Sequence, residues 1–184
     1  MINRFNMDSV QAFTEKKPIG VPKGGYVCQI LGTHLCENEV GQYLELYCDV
    51  AEGKYKDTYI NDYRAQTGDH KKWHCIAFIN VPTDDGSRQD ESNKRAFLCW
   101  VRALEGSNPG YHFDWDETKL KGLKIGGLFN NKQWRGRDGI IRDFVQIGRW
   151  ETCDNVRSGN YRMPKDKVLR DSQAPTVTIP DFPF

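Results

Sequence analysis

The stretch that decides the fold runs from Leu120 to Trp150 and reads LKGLKIGGLFNNKQWRGRDGIIRDFVQIGRW. Its two apolar runs, Leu123–Phe129 and Ile140–Trp150, flank a polar segment that contains Asp138-Gly139. Because Asp and Gly both tolerate positive φ, this dipeptide favours a tight turn. Apolar residues in the second run alternate with a period of two, which is typical of a strand. The stretch therefore predicts two antiparallel strands joined by a long hairpin, with a bulge or sharp bend at Gly126-Gly127.

The tip of this hairpin surrounds one tryptophan with three cations. A tryptophan that stacks on a base and cations that meet phosphates suit a nucleic-acid-binding finger. The alternative is an ordinary solvated hairpin whose tryptophan covers its own barrel, because exposed hairpins are often basic for solubility. The candidate contact residues of the tip are Lys132, Trp134, Arg135 and Arg137.

The bulk composition sets few limits. A chain of 184 residues suits one domain with appendages, and 12% aromatic residues favour β structure. With a net charge of +1, a nucleic-acid interpretation must rest on local clusters of cations. None of the six cysteines forms a C-x-x-C pair, and no signal peptide or membrane-spanning run is evident. These features predict a cytoplasmic protein with reduced thiols and no membrane contact.

Upstream of the hairpin, the pattern predicts three strands and one helix. The first strand covers about residues 26–33 and the second about 42–50, where alternate residues take a core face. A third strand is placed at Lys54–Ile60, where cations alternate with aromatic residues. Trp73–Val81 is either a further strand or an extended cover. The one helix spans about Gln89–Glu105, and its apolar stripe consists of Phe97, Trp100, Val101 and Leu104.

This order of elements is that of the OB-fold, a five-stranded barrel with one helix between strands 3 and 4. We therefore predict a mainly β chain with a lead-in over residues 1–22, an OB-fold domain over 23–163 and a flexible tail over 164–184. OB-folds bind ligands on strands 2 and 3 and through the loops that join strands 1–2 and 4–5. Besides the hairpin tip, the candidate nucleic-acid contacts at these places are Tyr43, Tyr47, Lys54, Tyr55, Lys56 and Tyr59. For the two tyrosines of strand 2, the alternative is that they cover neighbouring strands.

Two clusters of metal-ligand residue types are present, but neither predicts a metal site. His70, His74 and Cys75 lack an evident fourth ligand. The acidic residues of the loop 114–117 favour a solvated loop over a divalent-metal site. The sequence also lacks a Walker A motif, H-E-x-x-H and G-x-S-x-G. We expect no cofactor, no metal and no catalytic activity, and a metal-dependent nuclease is the weakest alternative.

The last four residues, Asp181-Phe182-Pro183-Phe184, resemble the C-terminal tip of bacterial single-stranded-DNA-binding proteins. In that family, a disordered tail carries the tip to replication, recombination and repair proteins. The resemblance implies that Phe184 fills an apolar pocket of a partner while its free carboxylate meets a basic residue.

Five short motifs are spread over about residues 20–165: Gly24–Val27 (GGYV), Asp49–Gly53 (DVAEG), Ala103-Leu104, Leu120–Gly122 (LKG) and Gly136–Gly139 (GRDG). In these motifs, the body of the chain resembles a group of small phage and prophage proteins encoded among recombination and replication genes. The resemblance implies a sequence-tolerant, phage-type single-stranded DNA-binding protein that supports replication and recombination in a bacterial host cell. An OB-fold protein-interaction module that acts through its tail, without DNA binding, is the alternative, and homo-oligomerisation is left open.

Overall fold

The computed structural model describes residues 19–169. Within this range, the chain is mainly β and forms five strands and three α-helices, with a 3₁₀ turn at Glu117–Leu120. In chain order the elements are β1 (Gly24–Asn38), β2 (Gly41–Val50), α1 (Thr58–Ala65), β3 (Ile76–Asn80), α2 (Arg88–Ser107), β4 (Lys124–Arg135), β5 (Ile141–Glu151) and α3 (Cys153–Ser158).

The five strands form one antiparallel sheet in the order β3-β2-β1-β4-β5. The register shifts between Ile30 and Gly32 on β1 and again where β5 gains an extra residue at Gly148. Such bulges bend a strand and increase its twist. The sheet curls accordingly, so that its two edge strands, β3 and β5, both line one cleft together with α2.

The predicted hairpin is confirmed as β4 and β5, but its bulge lies on β5 and not at Gly126-Gly127. At Gly148, a Cβ atom would collide with the side chain of Asn130, which explains the glycine at that position. Gly126 has a different reason, since a Cβ there would lie 2.6 Å from Cγ2 of Val156 in α3. The glycine in β4 therefore lets a helix pack closely on the sheet.

The core follows the alternation that the sequence predicts for β2. Residues on one face of this strand are buried in the same core as the apolar stripe of α2. The Ser87 side chain caps α2 by accepting a hydrogen bond from the backbone N–H of Asp90. Of the predicted stripe on α2, Val101 is only partly buried. The buried apolar residues of the two elements are Leu44, Leu46, Cys48, Val50, Phe97, Trp100, Ala103 and Leu104.

The third strand predicted at Lys54–Ile60 is wrong, because the chain forms a turn there and then α1. The physical cause is Asp49, which the β2 alternation placed on the outward face. Its side chain is 3% exposed, and its carboxylate accepts hydrogen bonds from the backbone N–H groups of Tyr59 (3.0 Å) and Ile60 (2.9 Å). A carboxylate at these orphan donors stabilises a helix start.

The third strand of the structure is β3. For Trp73–Val81 the sequence left open a strand or an extended cover, and the strand is confirmed over Ile76–Asn80. α2 lies between β3 and β4, as predicted for the one helix, while α1 and α3 are two further helices that the sequence did not indicate.

Residues 165–167, which the sequence assigns to the tail, pair with β4. The Gln133 N–H donates to the Lys167 carbonyl at 2.8 Å, and the Lys167 N–H donates to the Asn131 carbonyl at 2.9 Å. The carboxylate of Asp166 forms an ion pair with Lys23 at 2.9 Å. Within residues 19–169, no helix combines the length and apolar character needed to cross a bilayer.

Candidate nucleic-acid interface

The hairpin tip is a turn built around Asp138. Its Oδ1 accepts a hydrogen bond from the Ile140 N–H at 3.1 Å, and Gly139 adopts a φ of 77° that closes the predicted Asp-Gly turn. Two hydrogen bonds join the Asp138 carboxylate to the guanidinium of Arg142. That guanidinium and the Ile140 N–H lower the pKa of Asp138 to about 2. The Asp138 carboxylate therefore stays ionised and paired with Arg142 at neutral pH.

One face of the hairpin carries two aromatic rings, each with its own cation. Lys132 lies opposite Phe144, with Nζ 5.5 Å from the centre of the ring. Trp134 lies opposite Arg142, whose guanidinium is 5.9 Å from the indole ring. Both distances fit cation–π contacts. The Trp134 side chain is 46% exposed, so its ring is available at the surface.

Arg135 and Arg137 are exposed but do not share this face. Arg135 alternates with Trp134 along β4 and donates to the Gly139 carbonyl at 3.3 Å. Arg137 lies in the turn itself. In the part of the chain that the structure describes, neither arginine forms an ion pair. Both guanidinium groups therefore lie at the tip of the hairpin, and neither lines the cleft between β3 and β5.

A cleft of about 660 Å³ separates the edge strand β3 from the edge strand β5, with α2 as its floor. Phe78 stands on the β3 side with 62% exposure, and Phe144 stands on the β5 side with 39% exposure. The indole N–H of the buried Trp100 on α2 has no acceptor among residues 19–169. Three cations and, within the described range, no carboxylate residue line the cleft. These cations are Lys132, Arg149 and Lys167.

The outer face of β2 continues this surface. The Tyr43 ring lies 6.1 Å from the Phe78 ring, so Tyr43 extends the aromatic residues of the cleft onto β2. Tyr47 donates a hydrogen bond from its hydroxyl to Oε2 of Glu45 at 2.8 Å, and this bond raises the pKa of Tyr47. The Cys36 side chain next to the Tyr43 hydroxyl raises the pKa of Tyr43. Both tyrosines are half-buried, and both stay protonated hydrogen-bond donors at neutral pH.

The remaining predicted contacts lie at the opposite end of β2, away from Tyr43. Tyr55 packs edge-on against Tyr26 at 5.6 Å, with Nζ of Lys54 5.4 Å from its ring. Tyr59 is 2% exposed and belongs to the core, so its ring has no free face to offer a base. Lys56 is exposed in the turn before α1. The structure therefore does not bring these four residues together with the hairpin.

The other residues that the sequence singled out either form local contacts or lie outside residues 19–169. Asp114 and Asp116 both form ion pairs with Lys119. His74 pairs with Asp62 at 2.7 Å, while Cys75 is buried. The partner-binding residues predicted at the C-terminus, Asp181, Phe182, Pro183 and Phe184, lie outside the described residues, as does the lead-in through residue 18.

Sequence reasoning missed Phe78, Phe144 and Arg142. A signal was present for two of them, since Phe78 and Phe144 occupy the outward positions of strands whose alternate residues are apolar. Exposed aromatic residues that lie side by side, as Phe78 does with Tyr43, are typical of a contact surface. Arg149 and Lys167 gave no local signal, because they reach the cleft only through the curl of the sheet.

Comparison of the sequence with protein-family models finds no matching family. Comparison with curated proteins finds no match either.

Proposed function

We propose that this chain is a single-stranded DNA-binding protein of phage type, with an OB-type barrel, that supports DNA replication or recombination. The observation that carries the proposal is the cleft between β3 and β5. Exposed aromatic rings stand on both of its sides, and among residues 19–169 its charged lining residues are all cations. A nucleotide strand presents bases that stack on aromatic rings and phosphates that attract cations.

The strand order supports the OB-type assignment. An OB-fold is a partly open five-stranded Greek-key barrel that binds its ligand on strands 2 and 3 and through the 1–2 and 4–5 loops. Here β1 lies between β2 and β4, and the two edge strands of the curled sheet face each other across the cleft. The aromatic surface from Tyr43 through Phe78 to Phe144 and Trp134 runs from strand 2 to the 4–5 hairpin.

The composition of this surface favours sequence-tolerant binding. Base–aromatic stacking contributes about 1–3 kcal/mol per base and works with every base, because each has a π face. The cleft cations are suited to phosphates, which are the same in every sequence. Three phosphate contacts predict that the logarithm of the binding constant falls with the logarithm of salt concentration with a slope of about −2.

A fluorescence-anisotropy titration of labelled oligo-dT at several salt concentrations tests the proposal. The expected result is binding at low salt that weakens along this slope. Lys132→Ala should weaken binding and reduce the slope by about 0.7, because one phosphate contact is lost. Lys121→Ala is the matched control, since Lys121 is exposed but lies outside the cleft. No binding at low salt would contradict the proposal and leave a protein-interaction module that acts through its tail.

A further inference from the structure

The outer face of the β1–β2 ribbon holds three different metal-ligand types at one point. His34 and Cys36 are two residues apart on β1, so that both side chains project from the same face. Glu45 lies directly opposite His34 on β2. The strand register alone therefore brings an imidazole, a thiol and a carboxylate together.

The distances between the ligand atoms fit a single small cation. Sγ of Cys36 lies 3.2 Å from Nδ1 of His34, and this nitrogen lies 3.9 Å from Oε2 of Glu45. All three atoms lie within 4.8 Å of one another. Bonds of 2.0–2.3 Å arranged tetrahedrally around zinc separate neighbouring ligand atoms by about 3.3–3.6 Å. The three side chains thus need only small movements to share an ion.

A neighbouring hydroxyl already orients the carboxylate. Tyr47 donates a hydrogen bond to Oε2 of Glu45 at 2.8 Å, which is the kind of outer contact that holds a ligand in position. Glu45 is partly buried, with its side chain 18% exposed, while the His34 side chain is 67% exposed. The carboxylate side of the site is therefore fixed by the protein, and the imidazole side opens to solvent.

We propose that His34, Cys36 and Glu45 bind one Zn²⁺ ion, with the fourth position open to water. Sulfur, imidazole and carboxylate together suit zinc, whereas Mg²⁺ and Ca²⁺ take oxygen ligands. On binding, the Cys36 thiol releases its proton to solvent and the thiolate sulfur bonds to the metal. This proposal does not rest on DNA binding and concerns a different set of atoms from the cleft.

Loading would also change the charge of this face. Adding Zn²⁺ and releasing the thiol proton of Cys36 makes the site more positive by one charge. Because Tyr43 lies opposite Cys36 and its ring is 6.1 Å from Phe78, the ion would remove negative charge beside the aromatic surface.

Titration of the reduced, metal-free full chain with Co²⁺ tests the site, since a cobalt–thiolate bond gives a charge-transfer absorption that oxygen and nitrogen ligands do not. The expected band saturates at one equivalent and disappears when Zn²⁺ displaces the cobalt. Cys36→Ser should abolish the band, and His34→Ala should weaken Zn²⁺ binding at least tenfold. Tyr47→Phe, which keeps the ring and removes the hydroxyl, should weaken it about 10–100-fold.

Two control variants keep the result interpretable. Cys99→Ser removes the exposed cysteine of α2, and His112→Ala removes an exposed histidine outside the site; both should leave the titration unchanged. A thermal melt without metal shows whether each variant is folded. The absence of a thiolate band in the folded wild-type chain, or a band that persists in Cys36→Ser, would overturn the site. Saturation at half an equivalent would overturn it as well, because it would place the ion between two chains.

Discussion

The guanidinium of Arg142 lies 5.9 Å from the centre of the Trp134 ring, across the pair of strands β4 and β5. Asp138 in turn holds Arg142 through two hydrogen bonds. The exposed indole is thereby positioned by a chain of contacts within the hairpin. A side chain that is ordered in advance loses less conformational entropy when it contacts a ligand.

We predict that Trp134→Ala weakens oligo-dT binding by about 1–3 kcal/mol, which corresponds to a factor of roughly 5 to 100 or more in affinity. The melting temperature should change little, because the side chain is 46% exposed and loses no core contact. Anisotropy titration and a thermal melt of the same samples measure the two effects. Trp115→Ala is the control, since Trp115 is 71% exposed but lies outside the hairpin. A large fall in stability with unchanged affinity would instead assign Trp134 a packing role.

We predict that Asp49→Ala destabilises the fold by about 2–4 kcal/mol, because it leaves buried donors without an acceptor. The Asp49 carboxylate accepts hydrogen bonds from the backbone N–H groups of Val50, Tyr59 and Ile60. Urea unfolding gives the change in free energy of unfolding. Glu45→Ala on the same strand should cost far less, because Glu45 bonds only to side chains among the described residues. Equal losses in the two variants would contradict the role of Asp49 at the start of α1.

We predict that stability falls as the pH drops below about 4.5 and that Glu52 contributes to this fall. Arg157 and Lys124 hydrogen-bond to the Glu52 carboxylate and lower its pKa from 4.5 to about 2. A depressed pKa means that the native state favours the ionised form, so the stabilisation is complete above the unfolded value and is lost as the pH falls through about 2. The effect is modest, because the Glu52 side chain is 34% exposed and screened by salt.

Chemical unfolding of wild type and Glu52→Gln at low ionic strength, between pH 2 and pH 7, measures this contribution. The variant should be less stable at pH 7, and its stability should depend less on pH below 4.5. Glu91→Gln is the control and should change the pH profile little. Glu91 is half-exposed, and its partner Lys94 also pairs with two aspartates. Parallel pH profiles for wild type and Glu52→Gln would refute the prediction.

We predict that Cys36 and Cys99 react rapidly with a thiol reagent in the native protein and that the other four cysteines do not. Burial raises the pKa values of the thiols of Cys28, Cys48 and Cys75 well above their ordinary value and keeps the reagent away. Timed alkylation followed by peptide mass spectrometry identifies the modified residues. Rapid modification of Cys28 in folded protein would contradict the core described for this chain.

The hairpin and α2 were predictable because their signals are local. A turn dipeptide at Asp138-Gly139 and a period of two lie within the hairpin itself, and the apolar stripe of α2 lies within one helix. The mainly β character follows from the same signals. The sequence left open whether Trp134 is exposed or covers its own barrel, and in the structure its side chain is 46% exposed. That Trp134 contacts a base stays a prediction.

The rest depends on contacts between residues that are distant in sequence. α1 is stabilised by Asp49, which lies before the turn and gives no sign in the alternating segment at 54–60. The cleft depends on Phe78 and Phe144, which belong to strands at opposite edges of the sheet. The cluster around His34 required the register of β1 with β2, which no local pattern specifies.

The ion pair between Lys23 and Asp166 places the start of β1 and the last paired segment of the chain side by side, with the Asn131 N–H also donating to Asp166 at 3.1 Å. The first and the last segments of the fold within residues 19–169 therefore lie next to each other. Such proximity tolerates circular permutation. In a circular permutant, a short linker would join these two segments and new termini would be opened in the 136–140 turn. Every strand would keep its neighbours in the sheet, while the order of the strands along the chain would change. Such a permutant would test whether the arrangement of strands in the sheet depends on their order along the chain.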